Sequence, residues 1–123
     1  MRTSAAEKLL AVTDILKKLA PDIRLESIIV FLLVCKTNGA CFNDLVFQSQ
    51  FTNSMVSRSL TYLRSIGAEG LVQAHALPDD RRRRAVRLTA QGLQVRQQIE
   101  DILELRQVAG AVTYLTGSTA LCG

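Results

Sequence analysis

The chain has 123 residues, 48% hydrophobic and 21% charged, which is ordinary usage for a single globular domain and argues against a disordered or fibrous chain. A formal net charge of +4 favours a polyanionic partner. The longest apolar run, Ile28 to Cys35, falls well short of the roughly 18–20 residues of a membrane span and lies too deep for a signal peptide, so a soluble, cytoplasmic protein without a membrane partner is expected.

Ser4 and Glu7 stand at the spacing of a capping box, in which hydroxyl and carboxylate each satisfy an orphan amide, and they predict a helix over about 5–19. Leu9, Val12, Leu16 and Leu19 recur at helical spacing along it, and Pro21 closes it. Ile23 to about Lys36 is apolar nearly all round; periodicity alone allows a buried strand or a buried helix, and the length favours a helix. Asn38-Gly39 is a turn signal, and the next helix runs from about Phe42 to Gln48.

Thr52 is an N-cap for a helix reaching about residue 64. On a wheel at about 100° per residue, Val56, Leu60 and Leu63 fall on one side, and Asn53, Ser54, Ser57, Arg58 and Thr61 on the other. The second group is rich in hydrogen-bonding groups but carries one full charge, an unusual surface for a helix that is merely solvated.

Gly70 ends this region. Leu71 to Ala76 reads as a strand, Pro78-Asp79-Asp80 as a turn, and Ala85 to Leu88 as a returning strand with Val86 and Leu88 on one face and Arg87 on the other. Arg81, Arg82, Arg83, Arg84 and Arg87, five of the fifteen basic residues, crowd into this segment and predict a hairpin with an arginine-rich tip. Thr89 caps a last long helix over about 90–109 that carries Leu93, Ile99, Ile102 and Leu103. The order of four helices, a hairpin and a helix defines a mainly α fold with a small β-hairpin (α+β), a winged helix-turn-helix. Residues 1–123 are expected to form one DNA-binding domain, with the helix-turn-helix at about 41–66, the wing at about 71–88, and dimerisation helices at about 5–19 and 90–109.

Two features point to double-stranded DNA. The Ser, Asn, Thr and Arg side chains of the polar helix match the donor and acceptor pattern of the major groove, and guanidinium groups at a hairpin tip reach phosphates or a narrow minor groove. The aspartates next to the arginines suit a bidentate pair that orients one of them. No acid–base pair, nucleophile triad or phosphate-cradling glycine loop is present, so no enzyme and no cofactor is expected. Cys35, Cys41 and Cys122 lack the spacing of a disulfide framework or zinc site, and a lone His75 argues against metal. Cys35 reads as a small core hydrophobe; Cys41, near a turn, is open to oxidation, but only Lys36 nearby would lower its pKa, so a redox-sensor role is not expected.

Pro78-Asp79-Asp80-Arg81-Arg82, then Val86-Arg87-Leu88-Thr89 and Gly92, resembles the wing and following helix of the MarR family of bacterial regulators, and Val56-Ser57-Arg58 with Leu60 and Leu63 resembles its recognition helix. The resemblance covers roughly residues 23–105. It implies a homodimer whose recognition helices enter successive major grooves of a palindromic operator, most often as a repressor. Carried over, Ser54, Ser57 and Arg58 meet the major groove, Arg82 is the wing arginine, and Asp80 orients it. The alternatives are a winged-helix module for protein assembly, or a DNA-binding component of phage or plasmid replication. The sequence leaves open whether a small-molecule effector exists.

Overall fold

The computed structural model describes residues 4–109, apart from the side chains of residues 80–82 and 105–109. These residues belong to two compact units, one built from the two ends of the chain and one from Leu19–Gln94. No helix among the described residues is long and apolar enough to cross a membrane.

In the first unit, α1 (Ala5–Leu19) opens on the expected capping box: Ser4 N donates to Glu7 Oε1 at 2.9 Å, and Glu7 N donates to Ser4 Oγ at 3.1 Å. Its inward stripe is Lys8, Val12 and Leu16, which is buried along with Val95 and Ile99 of α5 (Ala90–Ala109). Lys8 takes the place expected of Leu9, which is 62% exposed. A residue four before Val12 shares its helical face more closely than one three before it. The aliphatic stem of Lys8 extends that stripe, and its Nζ donates to the Leu103 carbonyl at 3.5 Å. Leu9, Leu10 and Leu103 stay exposed.

The second unit contains α2 (Leu25–Lys36), β1 (Ala40–Cys41), α3 (Phe42–Ser49), α4 (Asn53–Arg64), β2 (Val72–Leu77), β3 (Asp80–Leu88) and the first turn of α5. The apolar segment before Lys36 is a helix, as its length suggested. Val30, Phe31, Val34, Leu45, Val56, Leu63, Leu71, Val72 and Val86 are all but inaccessible, so α2 is the hub against which α3, α4 and the sheet close. Gln50, in the left-handed region at φ 61, ends α3, and Thr52 Oγ1 accepts from Met55 N at 3.1 Å to start α4.

The three antiparallel strands lie in the order β1-β3-β2. Neither β1 nor the full length of β3 was legible in the sequence. β1 is two residues long, pairing Ala40 with Val86 and Cys41 with Ala85. β3 starts at Asp80, so the arginines lie within a strand rather than on a loop. Val72 to Ala76 pair residue for residue with Leu88 back to Arg84, and Leu77 then pairs with Asp80. Between these last two pairs β3 carries three extra residues, Arg81, Arg82 and Arg83, in a wide bulge of the kind that bends and twists a strand.

The joint between wing and α5 tolerates little change. Thr89 Oγ1 donates to the Gly70 carbonyl at 2.6 Å and accepts from Gly92 N at 3.0 Å, while Gln91 N donates to Glu69 Oε2 at 2.8 Å. A Cβ at Gly92 would collide with the Leu71 carbonyl oxygen, and one at Gly70, at φ +80, with that of Arg64. Both positions require glycine.

Candidate nucleic-acid interface

The candidate site grows from the two faces of α4. Val56, Ser59, Leu60 and Leu63 are buried, whereas Asn53, Ser54, Ser57, Arg58 and Thr61 are all exposed. Arg64 is exposed as well. On the helical wheel it falls between Asn53 and Ser57, a signal that was present in the sequence and passed over there. The polar face therefore carries two guanidinium groups, one on each flank.

Arg83 and Arg84 of the wing are exposed. The side chains of Asp80, Arg81 and Arg82 lie outside the described residues, although their backbone is part of β3. Ser57 and Arg64 of α4, Arg83 and Arg84 of β3, and Asn43 and Asp44 of α3 line one open cavity of about 370 Å³. The polar face of α4 and the arginine strand thus face a common cleft. Its polar edge is basic, with three guanidinium groups against one carboxylate. Asp44 is itself engaged, since its Oδ2 accepts from Cys41 N at 3.2 Å and closes the start of α3.

Cys41 ties the wing to this cleft. Arg83 Nη2 donates to Cys41 Sγ at 3.3 Å, anchoring the strand against the first turn of α3. This contact depends on β1, so sequence reasoning did not find it. Cys35 is only half-buried in α2. His75 is exposed on β2 opposite Ala85. Arg87 is exposed beside Gly39, whose N–H donates to the Val86 carbonyl at 2.8 Å.

On the other flank of α4, toward the start of α2, lies a second cavity of about 400 Å³ that includes Arg58 and Tyr62. Tyr62 OH donates to Asp22 Oδ1 at 2.7 Å. Desolvation, followed by that hydrogen bond and the charge of Asp22, pushes the phenol from 10.0 up to about 12. The pair links the segment before α2 to α4.

A three-stranded sheet with a two-strand wing, set beside a helix-turn-helix whose second helix exposes a polar face, makes the second unit a winged helix-turn-helix. The fold is similar to that of solved MarR-family regulators. The chain superposes on a Staphylococcus aureus MepR–DNA complex with a TM-score of 0.65 at 23% identity, covering 86% of this chain and 85% of that one. It superposes on a MarR transcriptional regulator from Methanosarcina mazei at 0.59 and 20% identity, covering 80% and 70%. For the PcaV regulator of Streptomyces coelicolor bound to its natural ligand, the values are 0.57 and 20%, covering 90% and 84%. No family model and no curated protein matches the chain by sequence.

Proposed function

We propose that the protein is a transcriptional regulator that binds double-stranded DNA in a sequence-specific manner, as a homodimer on a palindromic operator, and represses by occupying it. The observation that carries this reading is the shared cleft, where Ser57 and Arg64 of α4 face Arg83 and Arg84 of β3. A helix of about 10–12 Å diameter fills a major groove about 12 Å wide, and an adjacent basic strand then meets the flanking backbone. Asn53, Ser54, Ser57, Arg58 and Thr61 read base edges, Arg81 to Arg84 hold the backbone or the minor groove, and Asp80 orients Arg82. That one neighbour of the same fold was solved as a DNA complex supports the assignment.

The homodimer forms through α1 and α5, where Leu9 and Leu10 are 62% and 70% exposed and offer an apolar face for a second copy. The protein works in the cytoplasm, with no cofactor and no catalysis of its own. Selecting bound fragments from the source genome and measuring duplex affinity against salt tests the reading. Recovered sites with two related half-sites about one helical turn apart, and affinity falling steeply with salt, are expected. A stable oligomer without salt-dependent duplex binding would favour a protein-assembly module instead.

A further inference from the structure

In the sheet, β1 lies on one side of β3 and β2 on the other, so the outer side of β2 is an edge. Which backbone groups reach that edge follows from the register. The Val86 carbonyl accepts from Gly39 N at 2.8 Å and Leu88 N donates to Asn38 Oδ1 at 2.9 Å, so these residues of β3 turn their peptide groups toward β1. Thr89 N, one residue on, donates to the Leu71 carbonyl at 3.1 Å, on the β2 side. Peptide groups alternate in this way along an antiparallel strand. Ala74, opposite Val86, and Ala76, opposite Arg84, therefore point N–H and C=O away from β3. None of these groups bonds to another described residue. Ala76 and His75 are exposed, and Ala74 is half-buried.

A row of unpaired amides and carbonyls is a template for a further strand, and sheet edges are ordinarily blunted by lysine, proline or a bulge. β2 has none of these: Val72–Leu77 contains no proline and, with His75 neutral, no full charge, and the bulge lies in β3. The edge is also self-complementary. When two copies of β2 run antiparallel about a two-fold axis at His75, Ala74 of each lies opposite Ala76 of the other, and each such pair exchanges both N–H···O bonds. The methyl side chains of these alanines leave the approach open. β2 runs toward the arginines at the start of β3, so an antiparallel mate sets the two arginine clusters at opposite ends and keeps them apart. An uncharged strand gives an acidic or basic foreign segment nothing to pair with. We infer that β2 is a self-association edge, at which the sheets of two copies of this chain join into one continuous sheet. So short a contact falls below the roughly 1,200 Å² of a stable interface, so it is weak and fills only at high concentration. The inference rests on the sheet alone, and on neither the DNA-binding reading nor dimerisation through α1 and α5.

Sedimentation of the full chain over a range of concentrations, together with amide hydrogen exchange, tests the edge. The mass should rise at least about twofold above that of the dilute species as concentration increases. Over the same range the amides of Ala74 and Ala76 should pass from fast exchange to protection, while those of Gln73 and His75, which face β3, stay protected throughout. Ala76→Pro removes an outward N–H and no bond to β3. It should hold the mass at its dilute value, and slow exchange at Gln73 and His75 in this variant shows that the sheet is intact. A mass that never rises, or that rises equally in Ala76→Pro, overturns the inference. Fast exchange at Ala74 and Ala76 at every concentration also overturns it and leaves the edge to a foreign strand. The mass of the dilute species reports the α1 and α5 dimer separately, so failure of that dimer and failure of the edge are distinguishable.

Discussion

Replacing Arg84 and Arg64 with alanine removes one guanidinium from each wall of the cleft, and the consequence can be worked out before the experiment. Both residues are exposed and line the same cavity. Exposed substitutions of this kind usually shift stability by no more than about 0.5 kcal/mol, so the fold should survive. If each guanidinium neutralises one phosphate, each contributes about 0.9 to the slope of log affinity against log salt. Between 50 and 200 mM salt that slope is worth about 3.5-fold in affinity per contact, and about 12-fold for both. Either single variant should therefore flatten the slope by about 0.9, and the double variant by about 1.8, as measured by fluorescence anisotropy of a labelled duplex. The effect should be the same on a selected operator and on an unrelated sequence, because phosphate contacts carry no base information. Slopes parallel to that of the unsubstituted protein would refute the reasoning, whatever happens to the affinity at a single salt concentration.

Arg58→Ala should behave differently, costing about 1–3 kcal/mol on the operator and little on unrelated DNA; a uniform loss on both would move Arg58 from base reading to the backbone. Gly92→Ala should destabilise the protein by about 1–3 kcal/mol, read as a lower melting temperature, since a Cβ there meets the Leu71 carbonyl oxygen; an unchanged melting temperature would contradict the packing at this joint. Thr89→Ala should cost about 1–2 kcal/mol in denaturant titration, because it removes the cap of Gly92 N and leaves the buried Gly70 carbonyl without its 2.6 Å donor. Tyr62 should ionise near 12 rather than 10.0, seen as the ultraviolet difference between the protein and Tyr62→Phe. Its raised value favours the folded state below pH 10, and the advantage fades as pH rises from 10 toward 12; Asp22→Asn should lower the midpoint only in part, since desolvation is the larger cause, and a midpoint already at 10 in the unsubstituted chain would contradict the Asp22 contact.

What the sequence revealed, and what it hid, follows from the range of the interactions. Ser4, Thr52 and Thr89 were readable as helix starts because capping is local, acting over three residues. The two faces of α4 were readable because helical periodicity sorts side chains before any partner is present. β1 escaped because two residues carry no alternation, and only pairing with Ala85 and Val86 makes them a strand. The true start of β3 escaped because four successive arginines mask the alternation of a strand, and its bulge depends on register with β2. Lys8 was passed over as an inward residue because its charge outweighed its position, although its aliphatic stem packs as a hydrophobe would. The basic cleft was legible in its α4 and wing residues, but not in Cys41, Asn43 or Asp44, which the sheet brings there. The other cavity was hidden altogether, because Ser27 and Ser59 come to line it together only when α2 and α4 pack.

The central claim is that the polar face of α4 and the arginine strand hold one duplex together. Backbone amide shifts of the isotopically labelled protein, followed during titration with a selected operator duplex, test it most directly. The account predicts that residues 53, 54, 57, 58, 61, 64, 83 and 84 shift together, with one affinity and one salt dependence. Shifts confined to either element alone, or to the exposed face of α1, would contradict it.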